Sequence, residues 1–160
     1  MRFLWLAVIM ALLAACGSGG GSAVDQGGPG TATIGFSTQA SSGTTVIYAA
    51  EFTLHLPAGV AVSADPSSGE VASGVLHPLD STALVAARYV PATTSTQASV
   101  KVVIIDSGGF PIGDLATLSC IVAPGTAVNA SQVSLDGFSA KDVNGAAIPG
   151  ITPNFTVKTQ

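Results

Sequence analysis

Apolar residues fall on every second position over much of this chain, and that alternation predicts β-strands. The clearest runs over Thr45–Leu56. Val46, Tyr48, Ala50, Phe52, Leu54 and Leu56 share one face, and Thr45, Ile47, Ala49, Glu51, Thr53 and His55 share the other. Pro57-Ala58-Gly59 stops it. A shorter strand, Thr31–Ser37, precedes it, with a turn over Gln39–Gly43 between the two. Val60–Ser63 is a short strand cut by Asp65-Pro66-Ser67-Ser68-Gly69. Glu70–Leu76 follows and ends before Pro78. Thr82–Val90 places Val85, Ala87 and Tyr89 on one face and Arg88 on the other.

Ala98–Asp106 carries Val100, Val102 and Ile104 on one face and Val103 and Ile105 on the other. Apolar residues on both faces predict a central strand covered on both sides. Ser107-Gly108-Gly109-Phe110-Pro111 then reads as a loop, Asp114–Val122 as the next strand and Pro124-Gly125 as a turn. Ser131–Ala140 holds Val133, Leu135 and Phe138, with an irregularity expected at Gly137. Asp142–Gly145 turns into Ala146–Ile148, and Asn154–Val157 is the last strand. About nine short strands at regular spacing, with no long helical pattern, predict an all-β antiparallel sandwich over residues 31–160.

The beginning of the chain follows another pattern. Met1-Arg2 is a positive start, Phe3 to Leu13 an unbroken apolar run, and Leu13-Ala14-Ala15-Cys16 closes it with small residues before a cysteine. The run falls short of the ~20 residues a membrane-spanning helix needs, and it suits the hydrophobic part of a secretory signal peptide. Leu-Ala-Ala-Cys resembles the lipobox of bacterial lipoproteins. The resemblance implies a signal peptide over residues 1–15. It also implies that Cys16 becomes the new N-terminus, with a diacylglycerol on its thiol and often a third acyl chain. At ~0.8 kcal/mol per buried CH₂, two or more chains anchor a protein stably. Residues 16–30, beginning with Gly17-Ser18-Gly19-Gly20-Gly21-Ser22 after the cysteine, make a flexible linker spanning roughly 20 Å. Gly17 stands where an aspartate often retains lipoproteins at the inner membrane. The expected location is therefore the bacterial cell envelope, at the outer membrane or cell surface rather than the inner membrane.

Composition agrees with strands. Thr, Val and Ile make up 41 of the 160 residues, and β-branched side chains suit a pleated sheet. Only 9% of residues are charged, against roughly 25% in an average domain. That shortage excludes a disordered acidic tail and a coiled coil. Past the leader, four basic and nine acidic side chains leave a net charge of −5. An acidic surface argues against nucleic acid as a partner. With Cys16 lipidated, Cys120 has no disulfide partner. It shares a face with Ala116, Leu118 and Val122 and is expected to be a small buried hydrophobe.

Four segments carry a further resemblance. Tyr48-Ala49-Ala50-Glu51-Phe52-Thr53-Leu54-His55-Leu56-Pro57 runs into Gly59-Val60. Ala83–Tyr89 ends on an aromatic. Gly113-Asp114-Leu115-Ala116-Thr117-Leu118-Ser119-Cys120-Ile121-Val122 has a glycine, a large apolar residue, Ala-Thr and then alternation. Val133–Ala140 leads to Asp142-Val143-Asn144-Gly145. Over residues 31–158 their order resembles the cohesin family and its relatives among the β-sandwich carbohydrate-binding modules. The resemblance implies a jelly-roll sandwich that binds non-covalently, gripping a dockerin-like partner on a sheet face. It transfers no partner-contact residue.

Chemistry is sparse. Asp106-Ser107-Gly108-Gly109 is similar to the nucleophile segment of trypsin-like proteases, but Ile105 replaces the leading glycine, and His55 and His77 lack the flanks of that family's base. A turn explains the glycines. Two histidines and one free cysteine give no zinc spacing. Asp142-Val143-Asn144-Gly145 resembles the first half of a calcium loop without its distal glutamate. Asn-Gly is also a common hairpin turn, so a looser calcium site from Asp136, Asp142 and Asn144 stands beside the plain turn. Sugar binding on flat polymers uses exposed rings. The only tryptophan, Trp5, leaves with the signal peptide, and Phe110, between Gly109 and Pro111, is the best exposed candidate. The expectation is a non-catalytic module without a cofactor. Its partner is a dockerin-like or other envelope protein, or alternatively a polysaccharide, with Phe110 and Arg88 as candidate contacts.

Overall fold

A computed structural model describes residues 29–41 and 46–160. Cys16, the signal peptide, most of the linker and the end of the first turn lie outside the described residues. The strands are β1 (Gly30–Ala40), β2 (Val46–Leu56), β3 (Val60–Ala61), β4 (Leu76–Pro78), β5 (Leu84–Val90), β6 (Ala98–Pro111), β7 (Asp114–Val122), β8 (Ser134–Lys141) and β9 (Ile151–Thr159). A 3₁₀ turn, Ala130–Gln132, precedes β8. All pairings are antiparallel. The front sheet has the order β5-β6-β2-β8. The back sheet has β7-β1-β9, with β3 and β4 successively along the outer side of β7. Pairing is nested: β5 with β6, β4 with β7, β2 with β8 and β1 with β9. A ribbon folded at the β5–β6 hairpin and rolled up gives this pattern, which is the jelly roll expected.

The core lies between the sheets and follows the period of two. Ala50, Phe52, Leu54 and Leu56 from β2 and Val100, Val102 and Ile104 from β6 face Ala32, Ile34 and Phe36 from β1 and Ala116, Leu118, Cys120 and Val122 from β7. All are buried. Phe36 and Phe52 meet across the gap with ring centroids 4.9 Å apart, tilted by 48°. Burial pushes the Cys120 thiol up to about 11.

The expected alternation fails at one end of β2. Pairing slips between Ile47 and Ala49, because β6 spends three extra residues between Ile105 and Phe110. An odd slip reverses the faces. Ile47 is fully buried and Val46 points out, opposite to expectation. Gly109 sits in the left-handed region at φ 75°. A Cβ there would collide with Val46, so the bulge requires glycine. The segment expected as a loop, Ser107–Pro111, is thus the continuation of β6.

Other expectations shift by smaller amounts. Glu70–Leu76 is not a strand. Glu70 and Val71 make isolated bridges to Arg88 and Ala64, and β4 begins only at Leu76, reaching through Pro78. Proline is tolerated there because β4 is an edge. Val60–Ser63 contracts to β3, and Ala146–Ile148 to one bridge between Ala147 and Lys141. The first and last strands are longer than expected, with Pro153 on the edge strand β9. Gly137 carries the expected irregularity, at φ 61° beside a register shift in β8.

Candidate functional site

The front sheet's outward positions line up across strands. Register places Leu84, Ile105, Ala49 and Lys141 in one rank, and Ala86, Val103, Glu51 and Ser139 in the next. Arg88, Lys101, Thr53 and Asp136 form the third, and Val90, Ser99, His55 and Ser134 the last. The half of the face on β5 and β6 is aliphatic at one end. Leu84 is 74% exposed and Ile105 48%, with Ala86 and Val103 beside them. β6 is central, as expected, but its second face is open rather than covered.

Charges on this face divide into two groups. On β2 and β8 the charged side chains have diagonal partners. Lys141 Nζ lies 3.2 Å from Glu51 Oε1, and His55 Nε2 2.9 Å from Asp136 Oδ2. On β5 and β6, Arg88 and Lys101 stand directly opposite each other. Among the described residues neither forms an ion pair. A shallow depression of about 570 Å³ opens over Ala86, bordered by Val103, Arg88, Lys101, Ser68 and Glu70.

The free edge of β5 beside the depression is held by the preceding loop. Tyr89 N–H donates to the Gly69 carbonyl at 2.7 Å and Val71 N–H to the Ala87 carbonyl at 3.0 Å. Asp65 fixes that loop. Its Oδ1 accepts the Ser67 hydroxyl at 2.6 Å and the Ser68 and Ser67 amides at 2.8 and 2.9 Å. These donors, the Ser67 hydroxyl first, hold the Asp65 carboxyl down at about 2.

No family model matches the chain, and neither a curated protein nor a solved structure does.

The candidates from the sequence are scattered differently from expectation. Phe110 is corrected: it is 5% exposed, because β6 continues through it with the inward parity of Val102 and Ile104 and pairs it with Ile47, so it offers no contact surface. Arg88 is exposed at the centre of the basic pair. Asp136 is engaged by His55. The Asp142 carboxylate accepts the Asn144 and Ala146 amides of its own turn, at 2.9 and 2.8 Å. Together these bonds account for the Asp142–Gly145 segment as a turn. Among the described residues no three His, Cys, Asp or Glu side chains gather to hold a metal. Ser107 lies eight residues along β6 from Ser99, the partner of His55. That is roughly 25 Å of strand, so the protease-like segment and this histidine stay apart. Asp106 is buried, accepting the Thr82 hydroxyl at 2.7 Å and the Gly108 amide at 2.7 Å.

Sequence reasoning missed Lys101, Leu84 and Ile105. A lysine between Val100 and Val102 was visible as an outward residue. Its position opposite Arg88 depends on register, which alternation alone does not fix.

Proposed function

We propose that the protein is a lipid-anchored, non-catalytic interaction module of the bacterial cell envelope, which binds a protein partner on the outer face of its front sheet in cohesin-like fashion. One observation carries this: exposed aliphatic side chains adjoin two cations without an ion-pair partner among the described residues, on the outer face of one sheet. Interfaces combine an apolar centre with a polar rim in this way. The lipobox and glycine linker support the anchor. They would hold the domain off a membrane with its sheet faces free.

The test uses the full lipidated chain in detergent. Solubilised envelope proteins and a polysaccharide panel are passed over wild type and over the Leu84→Asp/Ile105→Asp variant. A protein retained by wild type and lost with the variant supports the proposal. Retention that ignores the variant defeats it. Cys16→Ser should release the chain from membranes.

A second reading, polysaccharide binding, draws on the back sheet. A trough of about 240 Å³ runs over Gly35 between Thr33, Ser37, Thr117 and Thr156, with His77 and Lys158 at its rim. Its hydroxyls could meet a sugar chain. Every aromatic ring among the described residues is buried or partly buried, so there is no stacking platform. The protein partner therefore ranks first.

A further inference from the structure

We infer that the occupant of the front face is a segment of another protein that presents an aliphatic side chain flanked by carboxylates. The inference rests on the proposed binding face and names the chemistry of its partner.

Charge is segregated to a degree that so few charges make conspicuous. Of the four lysines and arginines after the leader, Arg88, Lys101 and Lys141 share this face, while among the described carboxylates only Glu51 and Asp136 stand on it. The two carboxylates on the face, Glu51 and Asp136, already have partners. Glu70 borders the depression, and its backbone bridges Arg88, yet no ion pair forms between them among the described residues.

Like charges placed directly opposite each other destabilise a sheet. Here the chain holds Arg88 against Lys101 and leaves the counter-charge to come from outside. The depression over Ala86 lies between that pair and Val103. An aliphatic side chain seated there would bury its surface against Ala86 and Val103. Carboxylates a few residues away would then reach Arg88 and Lys101, and the arginine fork can take one bidentately. Leu84 and Ile105 would close over the apolar end. A basic or purely polar segment gains nothing from this arrangement, and its lysines would be repelled.

The probe is a random peptide-display library, selected against the full lipidated chain in detergent, followed by synthetic copies of the winners. Variants are checked for retained melting temperature. Peptides with Asp or Glu within a few residues of Leu, Ile or Val should be enriched. Arg88→Glu/Lys101→Glu should weaken them ~10-fold or more, and lysine-for-carboxylate peptides should recover binding to that variant. Winners lost with Leu84→Asp but indifferent to charge reversal would overturn the acidic partner and leave the face standing. Winners indifferent to both, or no winners at all, would overturn the face as well. Self-association of the chain that charge reversal abolishes would overturn the choice of another protein and make a second copy the occupant.

Discussion

Thr33, Ser37, Thr117, Ser119 and Thr156 fill the outward positions of the back sheet around Gly35, with Lys158 as its lone lysine. The exposed apolar residues there, Ile121 and Leu79, lie at opposite ends of β7. The front sheet, by contrast, gathers Leu84, Ile105, Ala86 and Val103 into one patch and sets Arg88 against Lys101. Both inner faces obey the same demand, that every second residue be apolar, and the core cannot distinguish the two sheets. The outer positions are free of that demand. Threonine combines strand preference with a hydroxyl that water can solvate, so it suits an open sheet face. Exposed leucine and isoleucine stabilise the fold only through their own cross-strand pair, and the opposed cations beside them work against it, which is why the front face is the one assigned a partner.

The largest test of this contrast compares two leucines. Leu54 is fully buried on β2, and Leu84 is the most exposed large apolar residue on the front face. Leu54→Ala should lose ~2–5 kcal/mol in chemical denaturation. Leu84→Ala should stay within about 0.5 kcal/mol of wild type. A Leu84 variant that unfolds as readily as the core variant would mean the patch is structural, and the distinction between the faces would collapse.

Gly69 comes next, because it holds the edge of the front sheet. It sits at φ 73°, and a Cβ there would lie 2.6 Å from the Tyr89 carbonyl. Gly69→Ala should lose ~1–3 kcal/mol through strain in a left-handed position. The Tyr89 amide, which donates to the Gly69 carbonyl, should exchange its hydrogen faster than amides in β7. Unchanged exchange at Tyr89 would show that the loop does not cap this edge.

How much of this was legible in the sequence depends on which interactions are local. The long strands were legible wherever a period of two persisted, as in Ala50–Leu56 and Leu118–Val122. Cys120 was placed correctly by parity alone. The bulge was not legible: Ser107-Gly108-Gly109 has the residues of a turn, and only pairing with β2 shows the strand continuing through it. That one misassignment moved Phe110 from core to surface and reversed Val46 and Ile47. The site was half legible. Arg88 was an outward cation on a strand, but the basic pair exists only once β5 and β6 are in register, a long-range fact that composition does not encode.

Alkaline pH separates core from face without mutating the face. The Cys120 thiol is raised by burial from its ordinary 9.0 to about 11. Tyr89 is raised too, by burial first and then by a Cys120 thiolate nearby. The folded state holds these protons more tightly than the unfolded chain. Their contribution is therefore fully present below pH 9 and is lost as pH climbs from 9 toward 11. Denaturation midpoints should fall over that window, and less so in Cys120→Ala. Thiol labelling at pH 8 should be slow in the native chain and fast in urea. Fast native labelling would mean that the sheets do not close over Cys120.

The smallest expected effect runs against intuition, and it bears most directly on the contrast between the faces. Lys101→Thr removes one member of the opposed basic pair and gives the front sheet the residue that the back sheet uses. If the pair is held at the fold's expense, this change should raise stability by about 0.5 kcal/mol at low salt. The gain should shrink as ionic strength rises and screening shortens the reach of the repulsion. The same change should weaken binding of any acidic peptide selected by the wild-type chain. A loss of stability, or a gain that salt leaves untouched, would show that Arg88 and Lys101 do not repel each other in the free protein. The front face would then have no deficit of negative charge for a partner to supply.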